Sequence, residues 1–176
     1  MRWCGVLAGL VLLTMSDPGP CAAAQGPDPV VERIREHGGS AGSPMVVVVG
    51  PEDVPKSVWQ SVKDLVAYRV HRPSEDGVPV TDAAIYLVRT SDLYQRAATV
   101  LRTNATGQDE VWCFLSAVLS HEAAHSAINT EQQALEAEAE QLRRCLFASH
   151  PPGGDVGRLA SYISKVEAKL QKHDRR

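Results

Sequence analysis

His121, Glu122 and His125 stand in the order H-E-x-x-H within Ser120-His121-Glu122-Ala123-Ala124-His125-Ser126. On a helix, residues four apart lie one above the other on the same face, because 3.6 residues make a turn. Two imidazoles so placed can aim their nitrogens at one point. That point suits one Zn²⁺ ion, which takes His nitrogen at about 2.0–2.1 Å and prefers a tetrahedral shell. Glu122 points beside the pair. A carboxylate there can take a proton from water acidified by zinc, whose pKa falls from 15.7 to about 7. Three fixed letters in five also occur on ordinary amphipathic helices with a solvated Glu. The surrounding chain has to decide between the two.

The elements that position these residues are two helices. Residues 110–128 read as the first, and Val111, Trp112, Phe114, Leu115, Val118 and Leu119 make it apolar nearly all round before His121. Such a helix is buried, and buried histidines need partners. Asn129-Thr130 breaks it. Thr130-Glu131-Gln132-Gln133 is a capping box that opens a second helix, running to about residue 148. The short connection predicts an antiparallel hairpin.

Cys113 and Cys145 lie equally far from Asn129 on either side. In an exported chain such a pair is a disulfide candidate, the alternative being two buried thiols. Bridged Cα atoms lie about 4.4–6.8 Å apart. Each step forward from Cys113 is then matched by a step back from Cys145, to within about two residues. The level between His121 and His125 faces residues 134–136, and helical side chains lean toward the N-terminus, so Glu138 covers it. Glu138 also shares the face of Cys145, between Leu135 and Leu142. A carboxylate in an apolar stripe needs a charge partner, and zinc is one. Glu138 is therefore the expected third ligand. Glu131, the other acid on the stripe, lies nearer the turn and is the runner-up. Glu136 and Glu140 share the opposite face with Arg143 and Arg144 and read as solvated.

The rest of the chain supports one exported domain. Arg2, the apolar run from Trp3 to Met15 and the small residues Ala22-Ala23-Ala24 read as a signal peptide over residues 1–24, cut near Ala24. The apolar run falls short of the roughly 20 residues that span a bilayer, so no membrane association is expected after cleavage. Cys4 and Cys21 leave with it. Residues 25–44 read as loose, with a short helix capped by Asp28, and residues 45–176 as the single domain. Residues 45–49 and 82–89 read as strands, and residues 55–68, 91–102 and 155–172 as further helices. The stretch 83–89 is a candidate docking edge for an extended peptide, with an interior strand the alternative. Asn104-Ala105-Thr106 fits the glycosylation acceptor pattern. A net charge of -3 with no basic stripe makes nucleic acid an unexpected partner. Nothing in the residues indicates an oligomeric state. The fold class is α+β, a predominantly helical single domain with a small sheet and an active-site helical hairpin.

The segment 111–146 resembles the active-site half of a gluzincin, within the zincin metallopeptidases. In that group H-E-x-x-H supplies two His ligands and a general base, and a Glu on the following helix completes the shell. The resemblance implies one zinc ion on His121, His125 and Glu138, with Glu122 as general base in peptide-bond hydrolysis of a peptide or protein substrate. Tyr86, Tyr94, His71 and His150 are the available oxyanion electrophiles. Two features depart from the pattern. Ala123 stands where zincins place a bulky apolar residue, and Ile128 replaces the glycine of the H-E-x-x-H-x-x-G-x-x-H form. The rivals are a non-catalytic zincin-like protein, with a structural zinc or none, and a zinc hydrolase acting on other bonds.

Overall fold

Ala84–Val88 (β5) is an unbroken apolar run, Ala-Ile-Tyr-Leu-Val, of the kind that suits a strand covered on both faces. The computed structural model describes residues 28–38, 45–73, 79–81, 84–105, 110–125, 131–147 and 156–173. In it β5 is the middle of a three-stranded sheet. Met45–Val49 (β1) pairs with it in parallel, from Met45 opposite Ala84 to Val49 opposite Val88. Ala67–Tyr68 (β2) pairs antiparallel on the other side, Ala67 opposite Leu87 and Tyr68 opposite Tyr86. Both sides of β5 are therefore hydrogen-bonded, and of the two readings of this stretch, docking edge or interior strand, β5 takes the interior one. A separate ribbon pairs His71–Pro73 (β3) with Pro79–Thr81 (β4).

Strand side chains alternate between faces, and here each face meets a different helical layer. Val47, Val49, Tyr86 and Val88 pack with Trp59 and Val62 of the helix Lys56–Val62 (α2). Val46, Val48, Ile85 and Leu87 pack on the other side against Pro29–Gly38 (α1), Asp92–Thr103 (α3) and Glu110–Ala124 (α4). The helix expected over residues 55–68 stops at Val62. Leu65 donates its N–H to Val62 in a turn, and Val66 then accepts from Val88 N at 2.9 Å, so the sheet takes the backbone beyond that point.

α1 starts where the Asp28 cap places it. Asp28 Oδ1 accepts from Val30 N at 2.9 Å and Val31 N at 3.2 Å, while Oδ2 accepts from Tyr94 Oη at 2.7 Å and ties α1 to α3. Val30, Val31 and Ile34 are buried in the main core, so this part of the segment expected to be loose is built into the domain. Ser91 caps α3, accepting from Tyr94 N, and Asn104 ends it in the left-handed conformation at φ 46°.

The far side of α4 faces Glu131–Leu146 (α5) and Val156–His173 (α6). Phe114, Ala117, Leu135, Ala139, Leu142, Leu159, Ile163 and Val166 form this second core. Fully burying a Leu side chain contributes about 1.5–3 kcal/mol. Leu135, Leu142 and Leu159 therefore hold the helical layer strongly. α4, covered on both sides, is the pivot of the fold, which explains its apolar circumference. The fold is α+β and mostly helical, as expected. No helix among the described residues is long and apolar enough to cross a membrane. The signal segment, Thr106, Thr130 and His150 lie outside the described residues, as do the side chains of His37 and His71.

Candidate metal centre

The site forms where α4 and α5 run side by side. Cys113 and Cys145 are bridged, with Cα atoms 5.9 Å apart. Further along α4, His121 meets Glu138, and beyond it His125 meets Glu131. Advancing on one helix while retreating on the other makes the pair antiparallel, in the register that the cysteines imply. Ala117 on α4 and Ala134 and Ala139 on α5 are fully buried.

The two edges of the His121 ring do different things. Nδ1 lies 3.0 Å from Glu138 Oε2. A carboxylate accepts, so Nδ1 carries the hydrogen and donates it. Glu138 is held from behind by Tyr162 of α6, whose Oη donates to Oε1 at 3.0 Å. With its Nδ1 edge fixed, the ring turns Nε2 away from Glu138 and toward the start of α5. There it lies 3.1 Å from His125 Nε2. Glu131 Oε2 completes the group, 3.3 Å from His125 Nε2 and 3.8 Å from His121 Nε2. The structure thus gives Glu131 the facing position and Glu138 the supporting one. The helical register fixes levels, whereas the ring's orientation decides which nitrogen meets which acid. A carboxylate behind a ligating histidine fixes its tautomer and raises its basicity.

These separations test whether the residues fit a metal. Ligand atoms about 2.0–2.2 Å from a tetrahedral ion lie about 3.3–3.6 Å from one another. The three observed distances bracket that range. His121, His125 and Glu131 are accordingly a group that can hold a metal ion. Exposure is graded across it: the Glu138 side chain is 7% exposed, His121 16%, His125 22% and Glu131 48%. The supporting acid is inside and the facing acid opens to solvent.

The field at the site favours a cation. Burial disfavours the charged form of His121, but the hydrogen bond and charge of Glu138, with the charges of Glu131 and Glu122, outweigh it. The His121 pKa lies above the ordinary imidazole value. A pocket that attracts a proton by charge attracts a metal cation for the same reason. Burial raises the Glu122 pKa; the Glu131 charge adds to this, while His121 and Arg69 oppose it. A carboxylate shifted upward is a better proton acceptor at neutral pH. Tyr162 is pushed up to about 12 by burial and by the Glu138 charge and hydrogen bond, so it remains a donor to Glu138 across the physiological range.

Two site residues escape a reading of the sequence. Tyr162 reads there as a core residue of the last helix, and only the packing of α6 on α5 brings it to Glu138. Arg69 follows β2, and its Nη1 donates to the main-chain oxygens of Glu122, Ala123 and His125 at 3.3, 3.2 and 2.7 Å. One available signal points to Glu131. It stands six residues after His125, the offset of the third histidine in the H-E-x-x-H-x-x-G-x-x-H form. The two describable oxyanion candidates lie elsewhere. Tyr94 commits its hydroxyl to Asp28, and Tyr86 stacks on Tyr68 at 5.2 Å on the α2 face of the sheet.

Comparison with protein-family models, with curated proteins and with solved structures found no match. The functional reading therefore rests on the geometry of this site.

Proposed function

We propose that this chain is an exported zinc-dependent peptidase of zincin type, with His121, His125 and Glu131 as metal ligands and Glu122 as general base. The observation that carries the reading is the convergence of two Nε2 atoms and one carboxylate oxygen at 3.1, 3.3 and 3.8 Å. Three protein ligands with an open position are the pattern of catalytic zinc sites, whereas structural sites use four. Zinc, when bound, supplies Lewis acidity that acidifies water and polarises a carbonyl. Glu138 and Tyr162 hold the His121 ring so that its Nε2 lone pair faces the site. Glu122 takes the proton of the attacking water as its oxygen adds to the peptide carbonyl, and then delivers that proton to the departing amine as the C–N bond breaks. The export reading draws support from the Cys113–Cys145 bridge, a feature of oxidising compartments.

A structural metal site is the second reading, favoured by the hairpin's own cross-link and by the buried Glu138–Tyr162 support. Glu122→Gln separates the two. The substitution keeps the side chain's shape and removes its basicity. The peptidase reading expects chelator-sensitive cleavage of an unfolded protein substrate by the wild type, and unchanged zinc content with loss of cleavage in the variant. Stoichiometric zinc with no cleavage by the wild type overturns it in favour of the structural site.

A further inference from the structure

The last turn of α4 must place His125 over His121, and it lies at the open end of the helix. The final four carbonyls of a helix have no partner within it, and helix ends fray. Here the helix ends at Ala124, and the His125 N–H reaches back to His121 O at 3.2 Å. The second imidazole thus sits one residue beyond the helix.

We propose that Arg69 is a positioning residue for the metal centre, clamping the open end of α4 so that His125 Nε2 stays in register with His121 and Glu131. The inference rests on the metal reading above. Arg69 is itself well anchored, directly following β2, where Ala67 and Tyr68 are buried and paired with Leu87 and Tyr86. From there Nη1 reaches three main-chain oxygens, the shortest contact, 2.7 Å, being to His125 itself. A guanidinium carries its charge at every physiological pH, and a cation at a helix C-terminus meets the negative end of the dipole. The contact connects the sheet to the residue bearing the second ligand. The cysteine bridge and the Glu138 hydrogen bond lie at or before His121 and do not reach the end of the helix.

The test is Co²⁺ binding to the full chain, followed by its visible absorption and by competition with a chelator, in wild type, Arg69→Met and Arg69→Lys. Outer-shell partners of metal ligands typically account for 10–100-fold in affinity. Arg69→Met is expected to weaken Co²⁺ by that factor and to change the absorption band. Arg69→Lys, which keeps a cation but lacks the planar fork, falls between it and wild type. Arg143→Met serves as the control for general loosening. It removes the 2.7 Å ion pair from α5 to Glu167 on α6, which includes no site residue, so it leaves Co²⁺ affinity unchanged. Should Arg69→Met fail to fold, Arg69→Lys carries the test. Either Arg69 variant, folded, binding Co²⁺ within twofold of wild type with the same spectrum overturns the clamp while leaving the metal site standing. Absence of Co²⁺ binding by the wild type removes the metal reading, and the clamp with it.

Discussion

Opening the Cys113–Cys145 bridge tests how the hairpin that carries the site is held. The bridge closes a loop with a sequence separation of 32. Restricting an unfolded chain by a loop of that size lowers its entropy by about 12 cal/mol/K, so the bridge stabilises the fold by about 3.7 kcal/mol at 25 °C. Comparing oxidised with reduced wild type isolates this effect, because no atom other than hydrogen changes. Substitution by alanine would add a cavity cost, since Cys113 is buried beside Phe114 and Ala117. Urea unfolding of the two forms, followed by far-ultraviolet circular dichroism, gives the difference. With a slope near 1.5 kcal/mol/M, the midpoint falls by about 2.5 M on reduction. A loss below about 1 kcal/mol would refute the reasoning. It would mean that the unfolded chain already holds the two helices together, or that the second core sets their register alone.

Four further outcomes follow from the site geometry. Glu138→Ala leaves the His121 Nδ1–H and the Tyr162 hydroxyl without their acceptor and should weaken Co²⁺ by about 10–100-fold, measured by chelator competition. Glu131→Ala removes a proposed ligand and should cost more; the reverse order would make Glu138 the ligand. Tyr162→Phe removes one hydrogen bond to a charged acceptor and should destabilise the fold by about 1.5–3 kcal/mol in urea unfolding. Because the folded Tyr162 pKa is raised from 10.0 to about 12, its contribution is complete below pH 10 and is lost as pH rises through 12. Stability of the wild type should therefore fall more steeply between pH 10 and 12 than that of Tyr162→Phe. Equal slopes would show that Tyr162 titrates normally.

Much of the fold is legible because local signals and tertiary packing agree. Asp28 and Ser91 cap the helices they precede, and the apolar circumference of residues 111–119 announces a helix buried between two cores. The hairpin and its register follow from two cysteines symmetric about Asn129. The expectations fail where a choice is settled by distant partners. Residues 66–68 continue the apolar spacing of a helix, but pairing with β5 draws them into the sheet and thereby decides for an interior strand over a free edge. At the candidate metal centre, helical level is readable and ring orientation is not. Glu138 lies at the expected height, yet its hydrogen bond to Nδ1 turns Nε2 toward Glu131. Arg69 and Tyr162 reach the site from β2 and α6, so no spacing near H-E-x-x-H could reveal them.

The metal content of the purified chain bears most directly on whether two imidazoles and the Glu131 carboxylate form one cation site. After loading with zinc and removal of free ion, elemental analysis should find one zinc per wild-type chain, and His125→Ala should lose it while remaining folded. Wild-type protein retaining less than about 0.2 zinc per chain, or a His125→Ala variant retaining a full equivalent, would contradict it.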